Sequence, residues 1–237
     1  WQFSSWSGDL TSSTNPTSIL MNGNKSVTAN FTELPPAISV TPPSLDFAAV
    51  QVGSYADLTF TVQNTGGGTL TGSASVSAPF SIVSGGSYSL TASQSQVVTV
   101  RFSPTDAQSY NQNVTFTGGG GATRPVSGAG YNPPAISVTP SSRDFGSVQI
   151  GSYADLTFTV QNVGGETLTG STSVPSPFSI VSGGSYSLTV GQSQVVTVRF
   201  SPPDAQPYSQ TVTFTGGGGT TRPVTGTGII MIYLITP

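Results

Sequence analysis

Most of this chain is one segment written twice. The sequence PAISVTP, which starts at Pro36, starts again at Pro134, and the copies stay in step up to the TRPVSGAG and TRPVTGTG that close them. Ala37 corresponds to Ala135, so the period is 98 residues with no insertion. Solenoid units of roughly 20–50 residues must stack to bury a core, whereas a period near 100 is the length of an independently folding domain. The repeat therefore predicts a tandem array of domains.

Within each copy, apolar and polar residues alternate over short runs separated by Gly, Pro, Asn and Ser clusters. Leu58, Phe60 and Val62, for example, alternate with threonine and glutamine. Such alternation places one side of a strand in a core and the other in water. About seven to nine such runs per copy are typical of an immunoglobulin-like sandwich. We predict an all-β fold with two tandem immunoglobulin-like antiparallel β-sandwiches and a partial small β module at the N-terminus.

The positions at which the two copies differ are predicted to be exposed or to lie in turns. Leu45 is replaced by Arg143, and Asn113 is replaced by Thr211. Gly68 is likewise replaced by a glutamate in the second copy. Core positions tolerate such changes poorly, so differences should collect on solvated faces.

Composition excludes several functions. Only 6% of residues are charged and the net charge is −3, so nucleic-acid binding is not expected. The chain has neither His nor Cys, which removes the commonest general base, metal ligand and nucleophile pairs. We predict no enzymatic activity, no catalytic residue, no metal and no cofactor. No run of residues approaches the ~20 apolar residues of a membrane span.

The isolated charged residues and the glycine runs are predicted to be structural. Aspartates such as Asp46 stand alone rather than in a calcium-binding cluster, which favours a role in Asx turns or at strand ends. Arg101 and Arg199 point outward on a strand and are expected to pair with a cross-strand neighbour or to lie over polar side chains. The glycine runs have no following lysine, so flexible hairpin turns are favoured over a phosphate-binding loop.

The motifs of both copies resemble the ASH (ASPM–SPD-2–Hydin) or choice-of-anchor D family. The matching pieces are residues 38–42, 46–47, 58–66, 80–86, 98–104 and 114–130, each with its partner 98 residues later. The resemblance implies an immunoglobulin-like sandwich related to the major sperm protein and PapD folds. It implies structural or interaction modules without catalytic residues, which in bacteria often belong to secreted multidomain proteins.

The first residues resemble part of another bacterial module. The Trp6-Ser7-Gly8-Asp9 turn and the run from Met21 to Phe31 are similar to the second half of the internalin B-repeat family. Half of such a module leaves an open sheet edge, which is a site for pairing with another strand. The residues assigned to this acceptor module are Trp1, Phe3, Trp6, Val27 and Phe31. The aromatic residues among them could also form a sugar-stacking platform, although packing of the small module is favoured.

A short apolar run follows the second copy. Its members are Ile229, Ile230, Met231, Ile232, Tyr233, Leu234 and Ile235. The run lacks charge and proline and has the length of one strand. We predict that it is a subunit-contact strand, donated to the N-terminal module of the next chain. The predicted division is therefore 1–33 (partial module), 36–131 and 134–228 (sandwiches) and 229–237 (strand).

These observations favour a structural or adhesive segment of a bacterial extracellular or cell-surface protein, for example a filament subunit. The expected partners are other copies of the chain or neighbouring domains of the same protein. A carbohydrate- or protein-binding accessory module of a secreted protein is an alternative, with a surface glycan or protein as partner. An intracellular ASH-type scaffold is a second alternative, because eukaryotic members of that family serve cilia and centrosomes. Few tryptic sites, with Lys25 as the single lysine, suit a protein outside the cell.

Overall fold

The computed structural model describes residues 1–230, and all their regular structure is β-strand. The chain divides into two compact units, Trp1–Gly130 and Tyr131–Pro237. The strands of the first unit are β1 (Gln2–Gly8), β2 (Val27–Thr32), β3 (Ile38–Thr41), β4 (Leu45–Gln51), β5 (Ala56–Asn64), β6 (Leu70–Ser75), β7 (Phe80–Ser84), β8 (Ser87–Leu90), β9 (Ser95–Phe102), β10 (Ser109–Phe116) and β11 (Ala122–Tyr131). Those of the second are β12 (Ile136–Thr139), β13 (Arg143–Gln149), β14 (Ala154–Asn162), β15 (Leu168–Ser173), β16 (Phe178–Ser182), β17 (Ser185–Leu188), β18 (Ser193–Phe200), β19 (Pro207–Phe214) and β20 (Thr220–Ile229).

Each copy of the repeat forms a two-sheet sandwich. In the first copy, the five-stranded sheet has the order β4-β11-β10-β6-β8 and the four-stranded sheet the order β3-β5-β9-β7. The second copy repeats both sheets as β13-β20-β19-β15-β17 and β12-β14-β18-β16. Strands β1 and β2 form a separate two-stranded sheet. The predicted all-β fold with two tandem sandwiches is confirmed.

One strand pair departs from the antiparallel prediction. Strand β13 runs parallel to β20, with Val148 opposite Gly228 and Gln149 opposite Ile229. The reason is that β12 and β13, although adjacent along the chain, belong to different sheets. A strand that changes sheet cannot form a hairpin with its predecessor, so β13 pairs with the last strand of the domain instead.

The two sandwiches have separate cores of nearly the same composition. In the first, Phe60, Phe80, Phe102 and Phe116 are fully buried, and the Phe80 and Phe102 rings stack with centroids 4.7 Å apart. The corresponding rings of the second core, Phe178 and Phe200, also stack at 4.7 Å. These residues are the apolar members of the alternating runs. Because side chains alternate between the two faces of a strand, the pattern places them all on the inward face.

A buried asparagine ties three segments of each sandwich together. Asn64, at the end of β5, is completely buried. Its Nδ2 donates to the carbonyl oxygens of Leu90 (3.0 Å) and Gly68 (3.1 Å), and its Oδ1 accepts from the backbone N–H groups of Ala37 (3.2 Å) and Gly66 (3.1 Å). Asn162 makes the corresponding bonds in the second copy, with Glu166 in place of Gly68. In both copies these hydrogen bonds go to backbone groups. The asparagine side chain thus supplies partners to backbone N–H and C=O groups that no neighbouring strand satisfies.

The segment entering each sandwich is held against a glycine loop. The Gly67 N–H donates to the Pro35 carbonyl (3.1 Å). A Cβ on Gly66 would lie 2.3 Å from the Pro35 oxygen and 2.6 Å from the Ala37 nitrogen, so only glycine permits this approach. In the second copy, the Gly165 N–H donates to the Pro133 carbonyl at the same distance. The residues before the first strand of each sandwich therefore belong to its packed structure.

The prediction that the copies differ only at exposed or turn positions is wrong at several sites, including Leu45 and Ala74. Leu45 is buried in the first core, and its counterpart Arg143 is half-buried. The Arg143 Nε donates to the Thr157 carbonyl (2.8 Å), so the half-buried guanidinium has a polar partner. Ala74, which packs against the first core, is replaced by the buried Thr172. Asn113 and Thr211 are exposed, as predicted.

Replacing Thr172 by alanine is expected to stabilise the second sandwich by about 1 kcal/mol. Among the described residues, Thr172 Oγ1 is a buried side-chain oxygen without a hydrogen-bond partner. Burying such a hydroxyl costs ~1–3 kcal/mol, which exceeds the contribution of the methyl group that alanine would lose. Calorimetry of the full chain should show a higher melting temperature for one transition. The reverse change, Ala74→Thr, is the matched control and should lower the other transition. Equal melting of Thr172→Ala and wild type would contradict the assignment.

Candidate functional site

The residues of the predicted acceptor module form one apolar face of the β1–β2 hairpin. Phe3 lies opposite Phe31 and Trp6 lies opposite Ala29. The ring centroids of Phe3 and Trp6 are 5.2 Å apart, and those of Phe3 and Phe31 are 6.0 Å apart. This face is not closed, because 55% of Phe31 and 38% of Val27 are exposed. Trp1 is 76% exposed and lies just before β1.

The other face of the hairpin is polar and hydrogen-bonded. Asn30 Nδ2 donates to the hydroxyl groups of Ser7 (3.0 Å) and Ser5 (3.3 Å). The outer side of β1 pairs with Ser12 at one position, Trp6, whose indole Nε1 also donates to the Thr14 carbonyl (3.2 Å). Within residues 1–230, the outer side of β2 has no neighbouring strand. The hairpin thus combines an open backbone edge with a partly exposed apolar face.

The predicted subunit-contact strand falls mostly outside the described residues. Ile229 is the last residue of β20: it lies opposite Gln149, and its carbonyl accepts from the Ile150 N–H (3.0 Å). Ile229 is therefore part of its own domain. Ile230 is 67% exposed. Met231, Ile232, Tyr233, Leu234 and Ile235 lie beyond the described part of the chain.

The outward arginine of each sandwich forms a fixed group with an aspartate and a tyrosine. Arg101 lies opposite Asp57 in the β5–β9 pairing, and its Nε and Nη2 each donate to a carboxylate oxygen at 2.8 Å. The guanidinium carbon lies 3.7 Å from the centre of the Tyr55 ring. The hydrogen bond from Arg101 holds the pKa of Asp57 below its ordinary value. The expected cross-strand partner of Arg101 is confirmed, whereas Tyr55 was not foreseen because it precedes the strand.

The same three-residue group recurs in the second sandwich. Arg199 makes two 2.8 Å bonds to Asp155, and its guanidinium lies 3.6 Å from the centre of the Tyr153 ring. The tyrosines are 60% and 59% exposed in the two copies. A bidentate ion pair covered by an aromatic ring is more rigid than an ordinary surface pair, because each partner restricts the others.

A second tyrosine of each copy has a structural role at the opposite sheet. The buried Tyr88 donates its hydroxyl hydrogen to the Thr117 carbonyl (2.6 Å). Burial raises the pKa of Tyr88 above its ordinary value, despite this bond to the backbone. Tyr186 and Thr215 form the same contact in the second copy. The phenol therefore stays protonated and latches β8 to the end of β10.

Two neighbouring surface grooves lie on the five-stranded sheet of the first sandwich. A groove of about 380 Å³ is lined by Leu45, Asn111, Asn113 and Ser127, among others. A neighbouring groove adds Asp46, whose carboxylate accepts from the Ser127 hydroxyl (3.3 Å) and from the Ala48 N–H (3.0 Å). The bond to Ala48 is the Asx turn expected for Asp46. Within residues 1–230, no three acidic side chains gather as a metal site would require.

The two sandwiches each match one family model. The model describes a HYDIN/CFA65/VesB-like, Ig-like domain, and it matches residues 36–126 and 134–227. The chain belongs to this family. The resemblance of both copies to ASH-type immunoglobulin-like domains is thereby confirmed. HYDIN/CFA65/VesB-like domains are typically scaffold or binding modules rather than enzymes. The family match leaves out residues 1–35, so the likeness of the hairpin to the internalin B-repeat stays a prediction.

Solved structures with similar folds come from several organisms. The ASH/PapD-like domain 7 of human CEP192 is 16% identical, with 42% of this chain and 89% of that chain covered and a TM-score of 0.37. A protein of unknown function from Porphyromonas gingivalis W83 is 15% identical, with 80% and 99% covered and a TM-score of 0.36. Domains EC1–3 of mouse PcdhgC3 are 12% identical, with 88% and 74% covered and a TM-score of 0.42. A comparison with curated protein sequences found no match.

For this member of the HYDIN/CFA65/VesB-like family, the candidate sites are surfaces rather than clefts. They are the hairpin edge at β2 and the tyrosine–arginine–aspartate group on each four-stranded sheet. No helix in the described residues is long and apolar enough to cross a membrane.

Proposed function

We propose that this chain is a structural segment of a bacterial extracellular protein, and that it joins copies of itself by β-strand addition at the hairpin. The observation that carries the proposal is the β1–β2 sheet, whose outer β2 edge has no neighbouring strand within residues 1–230. A two-stranded sheet is at best marginally stable in water, so a further strand would stabilise it.

The contacts of the hairpin suit an added strand. An incoming segment would form main-chain hydrogen bonds with β2, and its alternate side chains would cover Phe31 and Val27. Both residues are partly exposed, at 55% and 38%, so covering them removes apolar surface from water. The polar face does not require contacts from the added strand, because Asn30 already donates hydrogen bonds to Ser5 and Ser7.

The proposed donor is the apolar run after β20, taken from a second chain. Ile229 is committed to β20, so the donated segment starts at Ile230. The segment after β20 of one chain would then bind the hairpin of the next chain, and such a head-to-tail contact does not close on itself. The expected product is a filament.

The extracellular assignment rests on composition and on the N-terminal likeness. Charged residues make up 6% of the chain, and Lys25 is its single lysine, which limits cleavage by trypsin-like proteases. Fractionation of the bacterial host, with a surface-protease control, tests the location. Recovery from the cytosol would support the intracellular scaffold instead.

The two tryptophans provide a direct test of strand addition, because both lie in residues 1–8. A chain lacking residues 231–237 should be monomeric by light scattering, whereas the full chain should form filaments visible by electron microscopy. Adding a synthetic peptide of residues 229–237 to the shortened chain should shift its tryptophan emission to shorter wavelength.

Charges on the apolar face of the hairpin should block both effects. We expect the double variant Val27→Asp and Phe31→Asp to neither polymerise nor bind the peptide. Thr28→Asp, on the polar face of the same strand, is the control and should behave as wild type. The proposal fails if the shortened chain still polymerises, or if the peptide leaves the tryptophan emission of the shortened chain unchanged.

A further inference from the structure

The four-stranded sheet is identical in the two copies of the repeat. Strands β3, β5, β7 and β9 have the same sequences, letter for letter, as β12, β14, β16 and β18. In the five-stranded sheet, by contrast, only the short strand β8 is unchanged (as β17), and β4, β6, β10 and β11 all differ from their counterparts. The core needs only the inward half of each strand to be retained, so the core does not account for this identity.

The contrast concerns exposed residues. Asp57, Thr59 and Gln63 of β5 and Val97 of β9 are exposed, and none changes in the second copy. On the outward side of β10, three of the four exposed residues change: Ser109, Asn111 and Asn113 become Pro207, Ser209 and Thr211, whereas Thr115 is retained as Thr213. Exposure therefore permits substitution on one sheet but not on the other. Some constraint other than folding acts on the outward side of the four-stranded sheet.

We call this outward side the repeat face. In the first copy it consists of Tyr55, Asp57, Thr59, Thr61, Gln63, Ser84, Val97, Thr99 and Arg101, and in the second of the same residues 98 positions later.

The polar groups of the repeat face are already paired. Asp57 is neutralised by Arg101, and the Ser84 hydroxyl donates to Thr99 Oγ1 (2.7 Å). The second copy has the same two contacts. Polar groups that are already hydrogen-bonded lose little free energy when water is removed from them. The desolvation cost of burying this face is therefore smaller than its number of polar groups suggests. Tyr55 and Arg101 are also held by each other, which lowers the entropy lost on binding.

We infer that the repeat face is a contact surface between copies of this chain, in which one repeat face packs against another. The face carries one positive and one negative group, so two such faces meet without net repulsion. Tyrosine and arginine are the residues that most often dominate protein–protein contacts, and the face places both beside the half-exposed Val97. A surface that packs against itself must stay the same in both copies, which accounts for the identity.

The size of the face fits a contact that needs both domains. With strands about 4.8 Å apart and a rise of about 3.3 Å per residue, one repeat face covers on the order of 400 Å². A single pair of faces would then bury about 800 Å² in total, less than the ~1,200–2,000 Å² of a stable interface, whereas two pairs would bury about 1,600 Å². Tandem duplication thus raises a weak contact into the stable range.

A polysaccharide fits the repeat face less well than a second copy does. Sugar rings stack on open aromatic faces, but each copy offers a single tyrosine, and the guanidinium of Arg101 already lies over one side of its ring. This contact is also distinct from strand addition at the hairpin, because it uses different residues and gives side-by-side pairs rather than a chain of subunits.

The test uses the chain carrying Val27→Asp and Phe31→Asp, in which strand addition is blocked. Sedimentation equilibrium should show concentration-dependent dimers. Adding Val97→Lys and Val195→Lys, which gives both contacting faces an excess of positive charge, should raise the dimer dissociation constant at least about tenfold. The matched control, Thr115→Lys and Thr213→Lys on the outward side of β10 and β19, should leave it unchanged. Thermal melting at concentrations well below the dimer dissociation constant should be the same for all three, because the substituted side chains are exposed and no chain is then stabilised by association.

Mixing distinguishes a face that meets itself from one that meets another surface. A chain with Val97→Glu and Val195→Glu should not dimerise alone, but it should form a heterodimer with the lysine chain. The inference is overturned if the starting chain stays monomeric at millimolar concentration, if the Thr115 control dissociates equally, or if the mixture does not pair. It is also overturned if a monomeric chain pellets with cellulose or chitin and Val97→Lys abolishes that binding.

Discussion

Replacing Asn64 by alanine is expected to lower the free energy of unfolding of the first sandwich by about 4 kcal/mol, which is a large part of the stability of a small domain. The side chain is completely buried, and alanine would leave two carbonyl oxygens and two N–H groups without their partners. The segments that separate would be the entry at Ala37, the glycine loop and the end of β8. Few single side chains connect as much of the fold.

Calorimetry of the full chain can check this result domain by domain. Asn64→Ala should lower one transition and Asn162→Ala should lower the other by a similar amount, since Asn162 makes the same contacts. Gln63→Ala is the control, because Gln63 is exposed. Its side chain makes a long hydrogen bond of 3.5 Å to the Ser93 carbonyl, so little stability should be lost with it. A loss below about 1 kcal/mol for Asn64→Ala would mean that water replaces the side chain at little cost.

Replacing Gly72 by alanine is expected to destabilise the first sandwich by about 3 kcal/mol, at the upper end of the usual cost of overpacking. A Cβ at this position would lie 2.1 Å from the Thr117 carbonyl oxygen and 2.7 Å from Cε2 of Tyr88. The oxygen belongs to the backbone and is also the acceptor of the Tyr88 hydroxyl, so it cannot move without breaking the latch. Urea unfolding of the full chain would measure the loss.

The neighbouring substitution Thr71→Ala serves as the control for Gly72→Ala. Thr71 is exposed on the same strand, and its change should cost no more than about 0.5 kcal/mol. Gly170→Ala should reproduce the large effect in the second sandwich, where the Cβ would lie 2.2 Å from the Thr215 oxygen. If Gly72→Ala and Thr71→Ala unfolded alike, the close approach of β6 to Thr117 would be wrong.

The sandwiches were predictable from the sequence because alternation and turn spacing are local signals. The pairing of Arg101 with Asp57 followed from the same alternation, which placed both side chains on one outward face. Asn64 was missed, although the sequence contains its signal: it continues the inward series Leu58, Phe60 and Val62 with a polar residue. A polar residue in an inward phase predicts a buried hydrogen-bond centre.

Other features could not be read from local patterns. The burial of Leu45 depends on how far β4 lies from the opposite sheet, and its exchange for Arg143 depends on a carbonyl of β14 within reach. The stacking of Tyr55 on Arg101 depends on the turn before β5, which has no periodicity. The significance of the repeat face required knowing which strands form one sheet. Only then do the unchanged strands of each copy fall on one surface of that copy.

The parallel pairing of β13 with β20 has a mechanical consequence. Strand β13 lies near the point where the chain enters the second sandwich, and β20 is where it leaves. When the two ends of a domain are pulled apart, parallel neighbours at those ends slide along each other, so their evenly spaced hydrogen bonds bear the load together. A terminal antiparallel hairpin would instead lose its hydrogen bonds one after another, because the load falls on one bond at a time. The second sandwich is therefore expected to resist unfolding when its two ends are pulled apart, because this strand pair would have to break all at once.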